Sequence, residues 1–113
     1  MHEYSIVQSL LESCEEHAIS NSAKKVTKVV VKIGTMSGVE PHLLKDAFDM
    51  FKEDTICDNC EFVMNIQKVK ISCNICHNTN ELEHNEYLCP ECKSNDIKII
   101  DGESMFLMQL ELN

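Results

Sequence analysis

The chain has 113 residues and a formal charge of −9, which bounds it to one compact domain, or one small domain plus a module too small to bury a core of its own. The acidic balance argues against a nucleic-acid partner, because modules that grip a phosphate backbone present a basic face. Seven cysteines would suit a secreted disulfide scaffold, but the start, Met1-His2-Glu3-Tyr4-Ser5, lacks the basic region and apolar run of a signal peptide. No stretch approaches the roughly 18–20 apolar residues that span a bilayer. The expectation is a cytoplasmic protein with reduced cysteines and no nucleic-acid or membrane partner.

Between Tyr4 and Asn21 the apolar residues Val7, Leu10, Leu11, Cys14 and Ala18 recur at helical spacing, with Glu12, Glu15 and Glu16 between them. That pattern predicts an amphipathic helix with an acidic solvent face. Ser5 and Gln8 have capping-box spacing and put its start at Ser5. Cys14, on the apolar stripe, reads as a buried core residue, and His17 as a surface residue. After Lys24 and Lys25, the run Val26, Val29, Val30, Val31 and Ile33 predicts one buried strand ending at Gly34. Gly34 to Pro41 reads as a loop, and Pro41 fits the first turn of a second helix, where its missing N–H costs nothing. Leu44, Ala47, Phe48 and Phe51 mark that helix's buried side as far as about Glu53, with His42 at its surface or edge.

From Phe62 to Ile71 the chain reads as a strand whose apolar parity changes: Phe62, Met64 and Ile66 share one face, Val69 and Ile71 the other. A strand swaps faces only through a bulge or a break, so residues 67 and 68 are the expected exit from the core. Further on, Ile97 to Ile100 and an Asp101-Gly102 turn lead into Phe106, Met108, Leu110 and Leu112, which alternate with Leu107, Gln109 and Glu111 as in a period-two strand. The order predicts an α+β fold, with two helices packed on a three-stranded sheet and a four-cysteine zinc-ribbon module inserted before the last strand. The expected division is residues 1–68 plus 96–113 for the α/β domain and 69–95 for the ribbon.

The cysteine spacing carries the strongest chemistry. Cys73-Asn74-Ile75-Cys76 and Cys89-Pro90-Glu91-Cys92 are separated by a polar, turn-prone segment, residues 77–88. Two such knuckles placed face to face supply four thiolates to a tetrahedral zinc ion. A closed sulfur shell leaves no position for water, so this zinc is structural. A third pair, Cys57-Asp58-Asn59-Cys60, has the same spacing from Cys73. If residues 61–72 are extended they span about 40 Å, too far for both ends to share one ion. Cys57 and Cys60 therefore read as connection and core residues, with a second or transient metal site and a redox pair as alternatives. A thioredoxin-like pair opens a helix after a strand, and here the order is reversed. His77, next to Cys76, could replace a sulfur ligand, and His84 lies in the ribbon loop.

A second constellation lies at Met1-His2-Glu3. The α-amine of Met1, the His2 amide and imidazole and the Glu3 amide can close fused chelate rings. A square-planar nitrogen set of this kind selects nickel(II) or copper(II) over zinc. The blander reading is a solvated terminus. Glu40, just before Pro41, stands at the expected cap of the second helix, and two helices packed side by side would bring it near the first helix's start.

Together, Met1-His2-Glu3-Tyr4-Ser5, Val31-Lys32-Ile33-Gly34, Ser37-Gly38-Val39-Glu40 and the two late knuckles resemble the HypA/HybF family of hydrogenase nickel-maturation proteins, and the likeness runs the length of the chain. The resemblance implies a metallochaperone, not an enzyme. It would deliver nickel cargo to the [NiFe]-hydrogenase large subunit with the GTPase HypB, and in some bacteria it would also serve urease maturation factors. It implies nickel on Met1, His2 and Glu3 with Glu40 nearby, and structural zinc on Cys73, Cys76, Cys89 and Cys92. Cys57 and Cys60 fall outside the family pattern. The rival readings are a zinc-ribbon interaction module without nickel and a thiol oxidoreductase using Cys57 and Cys60. Hydrolysis is not expected, since no nucleophile has a base and an orienting group beside it.

Overall fold

The computed structural model describes residues 2–83 and 86–113, apart from the His2 side chain. In chain order it contains α1 (His2–Ser20), β1 (Val26–Gly34), α2 (Pro41–Phe51), β2 (Glu61–Gln67), β3 (Lys70–Cys73), β4 (Thr79–Glu81), β5 (Ile97–Asp101) and β6 (Met105–Leu112). The strands make two three-stranded sheets, ordered β2-β1-β6 and β4-β3-β5. Compact packing divides the chain into a first unit (through Lys32, Val39–Asn65 and Phe106–Asn113) and a second (Ile33–Gly38 and Ile66–Met105).

The β-branched run of β1 becomes the central strand of the first sheet. Val29, Val31 and Ile33, alternate residues on one face, are almost completely buried. The Val26 N–H donates to the Ile56 carbonyl at one end of β1 and the Thr35 N–H to that of Gln67 at the other. The two bonds run in the same chain sense, so the neighbouring strands β1 and β2 are parallel, with α2 as the crossover helix that such a connection requires. β6 returns antiparallel: Lys25 and Asn113 exchange backbone hydrogen bonds of 3.1 and 2.9 Å, and the Gly34 N–H donates to the Ser104 carbonyl.

The core of the first unit follows the helical stripes. Val7, Leu10, Cys14 and Ala18 of α1 and Leu44, Ala47 and Phe48 of α2 are buried. Phe48 stacks on Phe62 of β2 with ring centroids 4.2 Å apart. Two helices on a three-stranded sheet are therefore as the sequence predicts.

Three local features differ from expectation. Helix α1 begins at His2 rather than Ser5. Its first turn is fixed from outside by Glu3, whose carboxylate accepts hydrogen bonds from its own N–H and that of Glu40, and by an edge-to-face contact of 5.4 Å between Tyr4 and Phe51. In β6, Phe106 and Met108 are half exposed whereas Leu110 and Leu112 are partly buried. Lys28 and Lys32 share a face of β1, yet they meet Glu111 (3.6 Å) and the Phe106 ring (5.7 Å). Along β6 the more buried residues are Met105 and Leu107 and then Leu110 and Leu112, so the burial alternation shifts past Met108. Finally, β5 pairs with β3, so residues 97–101 belong to the second sheet and fall in the second unit rather than with the helices.

In that second sheet β3 is central and antiparallel to both neighbours, with a bulge between Lys70 and Ile71. Among the described residues its apolar cluster is Val69, Ile71 and Leu82, with Ile97 and Ile99 against them. Gly34 and Gly102 pack backbone to backbone here. A Cβ on Gly34 would collide with the Gly102 carbonyl, and a Cβ on Gly102 would lie 2.6 Å from the Lys68 carbonyl oxygen. Gly102 also has φ +92°, a conformation that L side chains rarely adopt. Gly102→Ala should lower unfolding stability by about 1–3 kcal/mol, read as an earlier urea midpoint; an unchanged midpoint would contradict this packing.

Candidate metal centres

Each knuckle is built by a tight backbone turn. In the first, the Cys73 N–H donates to the Asn78 carbonyl and the His77 N–H to the Cys73 carbonyl; in the second, the Cys89 N–H donates to Ser94 and the Lys93 N–H to Cys89. Both turns place the residue after the second cysteine in the left-handed region, His77 at φ +63° and Lys93 at φ +67°. The matching turns aim both cysteines of each pair inward. Asn74 and Asp96 join the first knuckle to the entry of β5 through a 2.9 Å side-chain hydrogen bond.

The four sulfurs, of Cys73, Cys76, Cys89 and Cys92, all lie within 4.8 Å of one another. Cross-knuckle contacts are 3.5 Å for Cys73–Cys92 and 3.6 Å for Cys76–Cys89. A tetrahedral ion with metal–sulfur bonds of about 2.3 Å sets its sulfurs roughly 3.8 Å apart, so the observed cage fits such an ion. The surroundings favour thiolate: the Ile75 and Cys76 N–H groups both donate to the Cys73 sulfur at 3.4 Å, and the Asn78 side-chain amide donates to that of Cys76 at 3.5 Å.

The acidities of the four thiols are split. The Cys76 amide, with that of Ile75, holds Cys73 down at about 7, and the Cys92 and Glu91 amides lower Cys89. Against the pull of the Ser94 amide, contact with the Cys73 sulfur and its neighbours pushes Cys92 up to about 12. Against the pull of the Asn78 amide, burial and the Cys89 sulfur raise Cys76. In each cross-knuckle pair one sulfur ionises readily and its partner resists, as expected for like charges crowded together. A cation among them removes the conflict, and all four sulfurs can then be anionic ligands.

At the other candidate site the structure brings Glu3 and Glu40 together. The Glu3 carboxylate is held below the usual carboxylate range by hydrogen bonds from its own N–H and that of Glu40. Glu40 is the N-cap of α2, its side chain accepting from the His42 N–H at 3.4 Å, with Pro41 in the first turn. An adjoining cleft of about 330 Å³ is lined by Glu3, Tyr4, Leu43, Asp46, Ala47 and Met50. Met1 and the side chain of His2 lie outside the described residues, as does His84. His17, His42 and His77 are exposed. Cys14, Cys57 and Cys60 are buried in the first unit. Sequence reasoning missed Asn78 as a donor to sulfur, and it missed the pairs Lys68–Glu83 (2.7 Å) and Gln67–Glu81 (2.9 Å) that tie the exit of β2 to the ribbon. No spacing rule points to such contacts.

The model of the family described as "Hydrogenase/urease nickel incorporation, metallochaperone, hypA" matches residues 1–112. The chain belongs to the HypA family. It is 51% identical over 112 residues to the hydrogenase maturation factor HypA of Shewanella sp. (strain MR-7), covering 99% of this chain and 95% of the relative. To that of Aquifex aeolicus (strain VF5) it is 54% identical over 112 residues, covering 99% and 97%. Among solved structures, it is similar to the solution structure of the Ni metallochaperone HypA from Helicobacter pylori, with TM-score 0.70, 36% identity, and coverage of 97% of this chain and 96% of that one. A second HypA solution structure gives TM-score 0.76 at 36% identity, covering 100% and 97%. The resemblance read from the sequence therefore holds: this is a metallochaperone family concerned with hydrogenase maturation.

The geometry of the sulfur cage makes a spectroscopic prediction. Cobalt(II) added to the metal-free chain should give the visible bands of a tetrahedral thiolate complex, and Cys89→Ser should weaken and shift them. Octahedral bands, or bands indifferent to the substitution, would contradict the four-sulfur assignment.

Proposed function

We propose that this chain carries nickel(II) at its N-terminus and hands it to the [NiFe]-hydrogenase large subunit in concert with the GTPase HypB, with urease maturation as a further client route. In this reading nickel is held by the Met1 α-amine, the His2 amide and imidazole, and the Glu3 amide, with the Glu40 carboxylate beside it. Zinc is held by Cys73, Cys76, Cys89 and Cys92 as a structural ion. The first unit is thus the nickel domain, the second the zinc domain, and the role is carriage rather than catalysis. Among the described residues no helix is long and apolar enough to cross a membrane, in keeping with the cytoplasmic location we propose.

The observation that carries the nickel reading is the junction of Glu3 with the Glu40 amide, which supports a site where the two helix N-termini meet. The first amides of an α-helix have no carbonyl partner within it, so the backbone nitrogens needed for a square-planar complex are not already used by helix α1. Their ionisation offsets the charge of nickel(II), and the bound complex does not oppose the positive helix end. Carboxylates at Glu3 and Glu40 complete an acidic rim. Ligands on one short segment can also be exchanged one at a time by an acceptor, which suits release. The family description and the Ni metallochaperone HypA from Helicobacter pylori support the same cargo.

His2→Ala, or residues added ahead of Met1, should abolish tight nickel binding while zinc content and the circular dichroism spectrum stay unchanged. Retention of nickel by either variant would overturn the terminal site, and zinc without nickel in the parent chain would favour a plain zinc-ribbon module. Protons compete for the same nitrogens, whose reference pKa values are about 6.5 for imidazole and about 7.7–8.0 for the α-amine. Nickel affinity measured by calorimetry should therefore fall steadily from mildly alkaline to mildly acidic solution; a flat profile would count against nitrogen ligation.

A further inference from the structure

Helix α2 carries more apolar surface than the core of the first unit uses. Leu44, Ala47 and Phe48 are buried, whereas Leu43 and Met50, nearly two full turns apart on one side of the helix, are 53% and 60% exposed. Ala47 sits between them along the helix, a small buried residue flanked by two large exposed ones. These three side chains, with Tyr4 of α1 and the carboxylates of Glu3 and Asp46, line the cleft of about 330 Å³ beside the first turn of α1. Tyr4 is itself 41% exposed, and its edge-to-face packing on Phe51 holds the α1 side of the cleft in place. An exposed apolar patch rimmed by charge marks an interaction site, and neither metal site requires Leu43 or Met50 to face solvent.

Charge selects the occupant. Both charged residues of the cleft, Glu3 and Asp46, are acidic. Lys45 and Lys52 pair with Asp49, at 2.9 and 3.5 Å, and among the described residues Asp46 has no ion-pair partner. In a symmetric pair of copies the same patch faces itself, so a second copy would set these carboxylates against their own kind, on a molecule of formal charge −9, and like charges across an interface cost affinity. An extended peptide finds no strand edge here, because the backbone groups along a helix are bonded within it. Affinity has to come from side chains seated in the cleft, as when an amphipathic helix docks in a groove. We propose that the cleft docks an amphipathic helix of the protein that accepts the nickel, with apolar residues against Leu43, Ala47 and Met50 and lysine or arginine against Asp46 and Glu3. For the partner's role this rests on the nickel reading and deepens it: Glu3 belongs both to the cleft and to the proposed nickel site, so the seated helix lies beside the cargo ligands.

The test uses the full chain, isotope-labelled, loaded with zinc and free of nickel, and two synthetic amphipathic helical peptides that share a leucine face and differ only in carrying lysine or glutamate beside it. Amide chemical shifts should move saturably with the lysine peptide, centred on Tyr4 and the Leu43–Met50 stretch, and the glutamate peptide should bind about tenfold more weakly or not at all. Asp46→Lys, at an exposed position, should reverse that preference, and Met50→Gln should weaken the lysine peptide by about tenfold, with zinc content and circular dichroism unchanged in both. The parent chain's own shift map decides independently of how the variants fold. No saturable shift with the lysine peptide, shifts spread over the other faces of the chain, or a preference that Asp46→Lys leaves unaltered would each overturn the docking site. Nickel does not enter the measurement, so failure of docking and failure of the terminal nickel site are separate results.

Discussion

Four sulfur atoms within 4.8 Å of one another form an arrangement that carries its full negative charge only around a cation. Among the described residues, the second unit holds a small apolar cluster of Val69, Ile71 and Leu82, a three-residue strand β4, and surface ion pairs that contribute a few tenths of a kcal/mol each. Modules of this size are ordinarily completed by a metal or a disulfide. The backbone is arranged accordingly, with amides pointing at Cys73 and Cys89 and a left-handed residue closing each knuckle. In the proposed reading an ion in this cage is the centre of an otherwise thin unit, and its closed sulfur shell takes no part in cargo exchange.

The first unit is assembled by opposite means. Its core is a conventional apolar layer between two helices and a sheet, and its stability does not call for an ion. What it provides instead is position. The Glu3 hydrogen bond to the Glu40 amide and the Tyr4–Phe51 contact fix Glu3 and Tyr4, in the first turn of α1, against α2. In the proposed reading this packed first turn supports the nickel ligands, and the apolar core beneath it does not depend on the cargo.

The parts legible in the sequence were those governed by short-range rules. The knuckles followed from Cys-x-x-Cys spacing, β1 from its β-branched run, the start of α2 from Glu40-Pro41, and the departure from the first sheet from the parity change between Ile66 and Val69. The misjudged parts depend on tertiary contact. Ser5 and Gln8 have the right spacing for a helix start, but Glu3 and Tyr4 find partners on α2 and carry the helix back to His2. Phe106 and Met108 alternate correctly with their neighbours, but the burial alternation of β6 shifts past Met108 and leaves them outward. Ile97–Asp101 carry no mark that assigns them to one sheet or the other, and only pairing with Ile71 and Cys73 decides it.

The central claim is a division of labour by ligand type, with nitrogen and oxygen for the cargo and sulfur for the scaffold. X-ray absorption at the nickel and zinc edges of one doubly loaded sample examines both halves together. The account predicts a nickel shell of nitrogen and oxygen atoms without sulfur, and a zinc shell of four sulfurs. Sulfur scattering around nickel, or displacement of zinc from its sulfur shell as nickel is added, would contradict it.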